Sequence, residues 1–218
     1  MQSYTDKSES YFSHARTEIA TLLPPQCGRV LEIGCGSGAT LGWLRQSRGT
    51  LHTVGVEIAE AAANDAKANV DEMHCLDFER VELPSQNADF DVVLCLDVLE
   101  HMVNPWSAVD RLVSRYLKQG GVLIVSLPNV RHHSVVLPLF FRGRWDYEDA
   151  GLLDRTHLRF FTRDSALSLL THPRLGAVRD KDETPDWHSR KGVFNLLTGG
   201  IFRGLLTYQY YLAACKIN

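Results

Sequence analysis

The residues best suited to do chemistry in this chain of 218 residues stand in the segment CLDVLEHM, residues 95–102. Its apolar half is typical of the end of a buried strand, and Asp97, Glu100 and His101 then follow almost together. Positions i, i+3 and i+4 share one face of a helical turn, so these three side chains could converge. The segment therefore predicts a catalytic or metal-binding cluster or, alternatively, the first polar turn of an ordinary helix.

The positions of these residues in the fold are set by apolar segments, which alternate with helical patterns between residues 15 and 127. The segments predicted as strands are 29–34, 52–57, 72–77, 90–97 and 121–128, and the predicted helices are 38–46, 59–69 and 106–121, the last with a Gly-Gly cap. Continuous apolar strands separated by helices predict a parallel sheet that is covered on both faces. Ligands of such sheets bind beyond the carboxyl ends of the strands, which is where we expect the site.

The alternation ends at Pro128. Residues 129–165 are rich in arginine, histidine and aromatic residues without a clear period, which predicts a substrate lid. A helix over 165–172 and two strands, over 176–184 and 207–216, are predicted after it. With an N-terminal helical cover over 1–27, we expect the whole chain, 1–218, to form one α/β domain.

A glycine-rich turn, VLEIGCGSGAT, follows the first predicted strand and opens a helix. Glycines at such a turn let a ligand approach the backbone, and the helix N-terminus offers N–H donors to an anion. The turn also satisfies the dinucleotide pattern G-x-G-x-x-A, so an NAD(P)-dependent oxidoreductase is one alternative. Glu32 argues against that alternative, because dinucleotide sites usually keep an apolar residue two positions before the first glycine.

An acidic residue stands at the end of each of the first three predicted strands: Glu32, Glu57 and Asp77. Glu57 could accept hydrogen bonds from both hydroxyls of a ribose. Asp77 could accept one from an adenine amino group, with Phe78 packing on the ring. Three acids in equivalent positions predict a ligand site rather than a solvated surface.

The runs VLEIGCGSG, VGVEI, CLDF and FDVVLCLDVLEH follow in this order within residues 28–128 and resemble class I S-adenosylmethionine-dependent methyltransferases. The resemblance implies a Rossmann-like, doubly wound sheet of seven strands, with the last strand antiparallel and a lid insertion after the fifth. It also implies S-adenosyl-L-methionine as the cofactor and S-adenosyl-L-homocysteine as its product. The expected function is methyl transfer.

The resemblance implies which residues contact the cofactor: Glu32, Gly34, Cys35, Gly36, Gly38, Glu57, Ile58, Asp77, Phe78 and Leu96. The glycine turn would hold the methionine part, and the stretch from Cys95 to Asp97 would pass under the sulfonium. Tyr11 and Arg16, ahead of the first strand, resemble residues that close over the cofactor.

Methyl transfer to a hydroxyl needs an aligned acceptor, exclusion of water and a base that takes the proton. Histidine suits this role near neutral pH. His101 is the first candidate, because it follows the fourth strand, where the methyl group is expected. His157, from the predicted lid, is the second. The alternative role for His101 is to support the turn.

The lid segment LLDRTHLRFF, residues 152–161, resembles a stretch found after the fifth strand in many bacterial methyltransferases that are often encoded with sugar and polysaccharide enzymes. It implies a small-molecule or glycan-type acceptor. Trp145 and Tyr147 could stack on such an acceptor or pack within the lid, and Asp154 is expected to pair with Arg155. The arginines of the lid could meet an anionic group of the substrate or form a solvated face.

The pattern D-x-x-E-H is similar to the E-x-x-E-H cluster of small-RNA 2′-O-methyltransferases and ubiquinone-pathway O-methyltransferases. There the cluster, with a lid histidine, holds a divalent cation. The corresponding ligands here would be Asp97, Glu100, His101 and His157. Asp97 is one methylene shorter than the first glutamate of that cluster, and the E-H pair is widespread. A divalent metal is therefore an alternative that we do not favour.

Charge, cysteines and hydropathy limit the remaining possibilities. A formal net charge of -3 does not favour duplex nucleic acid as a partner or RNA 3′-end methylation. Five cysteines without a C-x-x-C pair predict reduced, buried thiols. The most apolar stretch, 122–141, is interrupted by Pro128, Arg131 and two histidines, so we expect no membrane span and a cytoplasmic protein. A catalytically silent cofactor-binding protein is a further alternative, and the oligomeric state stays open.

Overall fold

The computed structural model describes residues 13–50, 52–84, 89–183 and 189–217, so Tyr11 lies outside the described residues. Seven strands form one sheet: β1 Arg29–Ile33, β2 His52–Glu57, β3 Glu72–Cys75, β4 Phe90–Leu96, β5 Leu117–Pro128, β6 Arg179–Glu183 and β7 Gln209–Cys215. Their order is β3-β2-β1-β4-β5-β7-β6. The first five strands run parallel, and β7 is antiparallel to both β5 and β6. The predicted Rossmann-like sheet with an antiparallel last strand is confirmed.

The helices are α1 Ala39–Arg48, α2 Glu60–Ala66, α3 Pro105–Arg111, α4 His133–Arg142, α5 Arg163–Leu169, α6 Arg190–Leu197 and α7 Arg203–Leu206, with short 3-10 helices at Thr17–Thr21 and Leu99–His101. Local chemistry sets several of their ends. The Asn104 side chain accepts from the Ser107 N–H ahead of Pro105, which caps α3. α1 ends at Gly49, whose φ of 63° suits a left-handed helix stop. No helix in the described ranges is long and apolar enough to cross a bilayer.

Strand β4 explains how the sheet is buried on both faces. Its side chains alternate: Val92 and Leu94 belong to one apolar cluster, which includes Leu41 of α1, and Val93 and Cys95 belong to another. This alternation is the two-residue period of a strand that has a helical layer on each side. Each fully buried aliphatic side chain of this kind contributes about 1.5–3 kcal/mol. Burial on both faces therefore holds the carboxyl ends of the strands in place.

The third helix ends earlier than the sequence predicts, and the predicted Gly-Gly cap is wrong. α3 continues as one π-helical stretch, Leu112–Tyr116, and β5 already begins at Leu117. Leu117 is fully buried opposite Phe90, and the register with β4 then shifts before Val92 pairs with Val122. Gly120 lies within this irregularity at a φ of 76°. Burial of Leu117 decides the boundary, and the glycines form a bulge in the strand.

The region predicted as a lid contains α4, which the sequence pattern does not reveal because Pro138 and neighbouring histidines interrupt the apolar period. Asn129 and Phe161 form an isolated bridge, so this segment leaves the sheet and returns to it at the same edge. The thiols are buried at Cys27, Cys35 and Cys95. Those of Cys75 and Cys215 are exposed, contrary to prediction, because both cysteines end their strands.

The turn after β1 requires glycine at position 34. Gly34 has a φ of 71°, and an added Cβ would lie 2.7 Å from the Val98 side chain. We expect Gly34→Ala to lower the free energy of unfolding by about 2–4 kcal/mol, from left-handed strain plus overpacking. Gly49→Ala is the matched control, since its φ is 63° with nothing within 4 Å. Urea unfolding of both variants measures the difference, and equal losses would mean that Val98 moves aside at no cost.

Candidate active site

Two cavities open at the carboxyl edge of the parallel strands, and both are lined by Gly34. One, of about 490 Å³, lies beside β2 and β3, and we call it the edge cavity. The other, of about 300 Å³, lies between β1, β4, β5 and the start of β7, and we call it the central cavity. Because they meet at Gly34, one elongated ligand could occupy parts of both.

The predicted cofactor residues divide between the two cavities. Those that line the edge cavity are Gly34, Glu57, Ile58, Asp77 and Phe78. Those that line the central cavity are Glu32, Gly34, Cys35, Gly36 and Leu96. Gly38 is the remaining member of the set, and it forms the N-cap of α1 with a φ of 74°, where an added Cβ would lie 3.0 Å from Val70. Its role in the described structure is to turn the chain into α1.

Glu57 holds the glycine turn in shape. Its Oε2 accepts from the Gly36 N–H at 2.9 Å, and its Oε1 accepts from the N–H groups of Ile58 and Ala59 at 2.8 and 2.9 Å. Burial raises the pKa of Glu57, and the three amide donors oppose that rise. A carboxylate offers about four acceptor positions, so Glu57 retains acceptor capacity toward the edge cavity.

Glu32 is a buried carboxyl group on the wall of the central cavity. Its side chain is only 2% exposed, and its Oε2 has no hydrogen-bond partner. Burial raises the pKa of Glu32 to about 8, while the Thr40 hydroxyl and the Arg16 charge oppose the rise. An unpartnered buried acceptor is costly, so this atom is suited to receive a donor or a cation from a ligand.

Asp97 is held by three parts of the chain. It forms an ion pair with Arg16, accepts from the Ser126 hydroxyl at 2.7 Å and accepts from the Gln209 side-chain amide. Its own N–H donates to the Ser126 hydroxyl at 2.9 Å. It is the one described non-glycine residue with a positive φ, 55°, so it does not continue into the 3-10 turn. The prediction that Asp97 shares a helix face with Glu100 and His101 is therefore wrong.

Glu100, His101 and His157 do come together. One ligand-type atom of each lies within 4.8 Å of the others, and the two imidazole centroids are 4.7 Å apart. The lid is attached to this turn, because the N–H groups of Leu158 and Arg159 donate to the Glu100 carbonyl at 2.8 and 3.0 Å. Two histidines that are distant in sequence thus meet one buried carboxyl group beside the central cavity.

Burial dominates the electrostatics of Glu100 in this cluster. Glu100 is 1% exposed, and burial, followed by the charge of Asp97, raises the pKa of Glu100 well above its ordinary value. His157 Nδ1 lies 3.3 Å from the Leu152 carbonyl, which only accepts, so this contact is a hydrogen bond in the tautomer whose Nδ1 carries hydrogen. In the neutral ring the lone pair is then on Nε2, which is 3.9 Å from Glu100 Oε1.

The two histidine candidates face different cavities. His157 lines the central cavity, whereas His101 lines the edge cavity. His101 Nδ1 lies 3.2 Å from the Thr156 carbonyl oxygen and 3.1 Å from the Thr156 hydroxyl, and the His101 ring packs against that of His157. This geometry gives His101 a supporting contact to the lid in addition to its place on the cavity wall.

Contacts within the lid involve most of its other predicted residues. The Trp145 ring packs edge-on against Phe160 with centroids 5.2 Å apart, and Tyr147 is half-exposed. Arg155 pairs with Asp149 at 2.9 Å. The Asp154 carboxylate accepts from the N–H and hydroxyl of Thr156 at 2.9 and 2.7 Å. Asp154 therefore orders the loop that carries His157.

Sequence reasoning missed several wall residues of the central cavity, including Thr40, Tyr208 and Gln209. It also missed Ser126, which binds Asp97. A signal existed for Ser126, since it is a polar residue inside the apolar run VLIVSLP. No comparable signal marks Gln209, which reaches the site because β7 is antiparallel to β5.

Comparison with known proteins identifies the family. A family model described as "Methyltransferase domain" matches residues 7–172. The chain belongs to the class I S-adenosylmethionine-dependent methyltransferases. The fold agrees with a methyltransferase from Archaeoglobus fulgidus that is S-adenosylmethionine-dependent, with a TM-score of 0.67, 19% identity and coverage of 96% of this chain and 95% of that one. The oxidoreductase alternative is set aside.

Curated relatives are methyltransferases of known name. The chain is 34% identical over 131 residues to the 27-O-demethylrifamycin SV methyltransferase of Amycolatopsis mediterranei (strain S699), covering 55% of this chain and 47% of that protein. It is 29% identical over 157 residues to the ubiquinone biosynthesis O-methyltransferase of Azoarcus sp. (strain BH72), covering 66% and 65%. The chain thus spans about half to two thirds of the length of these relatives.

We expect Glu32→Gln to change how stability depends on pH. The pKa of Glu32 is about 8 when folded against 4.5 as its ordinary value. Between these values the unfolded chain is ionised and the folded chain is still protonated, so stability falls as pH rises. The loss is at most about 1.4 kcal/mol per pH unit, and glutamine has no proton to lose. Urea unfolding at about pH 5.5 and about pH 7.5 should show a smaller loss of stability in Glu32→Gln than in the wild type.

The exposed variant Glu60→Gln is the matched control and should follow the wild-type pH dependence. Parallel stability curves for the wild type and Glu32→Gln would contradict a neutral Glu32.

Proposed function

We propose that the protein is an S-adenosylmethionine-dependent O-methyltransferase that acts on a hydroxyl of a small-molecule or glycan-type acceptor. The observation that carries this proposal is the pairing of His157 with buried Glu100 in a cavity that joins the predicted cofactor site at Gly34. The names of the relatives, which include O-methyltransferases of rifamycin and ubiquinone pathways, support the same chemistry.

The residues of both cavities fit the cofactor. Asp77 and Glu57 supply carboxylates to the edge cavity for the adenine amino group and the ribose hydroxyls. The unpartnered Oε2 of Glu32 in the central cavity suits the ammonium of the methionine part. Gly34, between them, leaves the backbone accessible. When bound, the cofactor would supply an electrophilic methyl group on a sulfonium.

His157 is the proposed general base. Its Nε2 would accept the acceptor's hydroxyl proton, and the Leu152 carbonyl would hold the ring in the required tautomer. In its ionised form the carboxyl group of Glu100, 3.9 Å from Nε2, would stabilise the imidazolium that this transfer forms. His101 remains a second candidate, with a positioning role through its ring contact to His157.

A divalent cation is the second candidate for this cluster. Glu100, His101 and His157 together offer one carboxylate and two imidazoles within 4.8 Å, and Oε2 of Glu100 is a buried acceptor without a partner. Such a donor set suits a transition metal more than calcium. Asp97 would not join them, since its carboxylate is engaged by Arg16, Ser126 and Gln209. A bound cation would orient the oxygens of the acceptor.

Cofactor binding tests the proposal at its first step. Isothermal calorimetry should detect S-adenosylhomocysteine and no NADH. Asp77→Ala should weaken binding at least tenfold, since one hydrogen bond to a charged group contributes about 1.5–3 kcal/mol. Exposed Glu60→Ala is the control and should bind as the wild type does. Tight NADH binding without S-adenosylhomocysteine would reject the assignment. Binding without labelled methyl transfer to any catechol, hydroxyquinone or sugar would favour the silent alternative.

His157→Gln tests the base. It should lower kcat by about 10²–10⁴-fold and remove the low-pH limb of kcat/KM, because a neutral imidazole is no longer needed. Affinity for S-adenosylhomocysteine should stay within about twofold. His52→Gln is the control, because His52 begins β2 at the opposite edge of the sheet. Unchanged turnover in His157→Gln would exclude the histidine as a base.

Adding a chelator distinguishes the two proposed roles of the cluster of Glu100, His101 and His157, a general base and a metal site. The base mechanism predicts that turnover is unaffected by the chelator. Loss of activity that a divalent ion restores, together with loss of ion binding in His157→Gln, would favour the metal.

A further inference from the structure

Two segments leave the sheet side by side at the mouth of the central cavity. The end of β5 pairs with the start of β7 at Pro128 and Gln209, and both residues line the central cavity. α4 follows β5, and α6 and α7 precede β7. The segments also touch, since the Asn129 side-chain amide donates to the carbonyls of Gly204 and Thr207 at 2.8 and 2.7 Å. The base of α4 and α7 therefore share one edge of the molecule.

These segments expose large apolar side chains to solvent. On α4, Phe140 is 78% exposed and Phe141 73% exposed. On α6 and the turn after it, Leu197 is 81% exposed and Ile201 78% exposed, with Leu196 close behind at 70%. Single exposed apolar residues are ordinary, but an adjacent pair of exposed phenylalanines and an adjacent pair of exposed leucines are not. We call these five residues the apolar rim.

The same segments are basic. Residues 129–144 and 189–208 contain six lysines and arginines and no aspartate or glutamate, within a chain whose net charge is -3. Among the described side chains, Arg144 pairs with Asp146 and Arg203 pairs with Asp182, both outside these segments. The two segments that carry the rim thus hold an excess of basic residues on a protein of net charge -3, with Asp146, Glu148 and Asp149 directly after the first segment. This excess is complementary to an anionic partner.

We propose that the apolar rim docks the protein on an anionic lipid surface. Exposed phenylalanine, leucine and isoleucine side chains flanked by arginine are the composition that inserts into the boundary between headgroups and acyl chains. Basic residues at such a surface add electrostatic attraction to anionic lipids. α4 and α6 have ten and eight residues, well short of the roughly 20 that span a bilayer, so they would lie along its surface.

The charge also disfavours a second copy of this chain as the occupant. A symmetric contact through the rim would bring two surfaces with the same excess of basic residues together, although Asp146 and Asp182 each pair with one of those residues. A bilayer supplies both the apolar phase and the negative charge. Docking in this way would set the mouth of the central cavity against the headgroup layer.

Vesicle flotation tests this proposal independently of methyl transfer. The chain of 218 residues should float with vesicles of phosphatidylglycerol and phosphatidylcholine in equal parts and not with phosphatidylcholine alone. High salt should weaken the association, since it screens the charges. Phe140→Ser combined with Phe141→Ser should lower the partition coefficient at least tenfold. Ile217→Ser is the control, because Ile217 is half-exposed at the opposite edge and should float as the wild type does.

Each other outcome overturns the proposal. If the wild type does not float with the anionic vesicles, or if the phenylalanine variant floats equally, the rim does not bind lipid. Light scattering of the same proteins without vesicles measures their molar mass, which distinguishes a protein interface from lipid binding. A wild-type oligomer that the phenylalanine variant converts to a monomer would assign the rim to another chain. Binding of S-adenosylhomocysteine by each variant confirms that its cavities are intact.

Discussion

The carboxylate of Asp97 is the point at which four parts of the chain are joined. Arg16 comes from the segment ahead of β1, Ser126 from β5 and Gln209 from β7, and all three bind Asp97 at the end of β4. A positive φ at a non-glycine residue persists only when its surroundings hold it there. These contacts supply that constraint. They also fix the floor of the central cavity, so the site's shape depends on them.

Buried carboxyl groups dominate the rest of the site. Glu32, Glu57 and Glu100 are each almost fully buried, and burial raises the pKa of all three. Only Glu57 has three backbone donors, whereas one oxygen of Glu32 and one of Glu100 have no partner. The protein therefore keeps acceptors in low-dielectric surroundings where a ligand's donors or charge would stabilise them most. This arrangement fits a cofactor site better than a structural ion-pair network.

The carboxyl edge of the sheet combines the chemical site and the apolar rim. β5 and β7 meet there at Pro128 and Gln209, so the chain leaves β5 and enters β7 at the wall of the central cavity. The lid returns to the same edge through the bridge between Asn129 and Phe161. One topological feature, the antiparallel seventh strand, thus brings together the floor of the site, the lid and the proposed docking surface.

Much of this could be predicted from sequence because the signals are local. The apolar pattern predicts the strands, and the glycines predict the turn after β1. The acidic residues at strand ends, Glu32, Glu57 and Asp77, all line a cavity. The boundary of β5 could not be predicted, because the burial of Leu117 outweighs the glycine signal. The exposure of the apolar rim could not be predicted either, because the same apolar residues would also be typical of a helix packed in the core.

By itself the sequence determined the sheet, the glycine turn and the family, since each depends on residue types at short spacing. Only the tertiary structure decided which residues of CLDVLEHM come together with His157. Asp97 has a positive φ and binds three residues that are distant in sequence, so its carboxylate does not join Glu100, His101 and His157, although Glu100 is only three residues away. The lid's bonds to the Glu100 carbonyl bring His157 across 57 residues to the same carboxyl group. Contacts between distant segments set these distances, and sequence spacing contains no information about them.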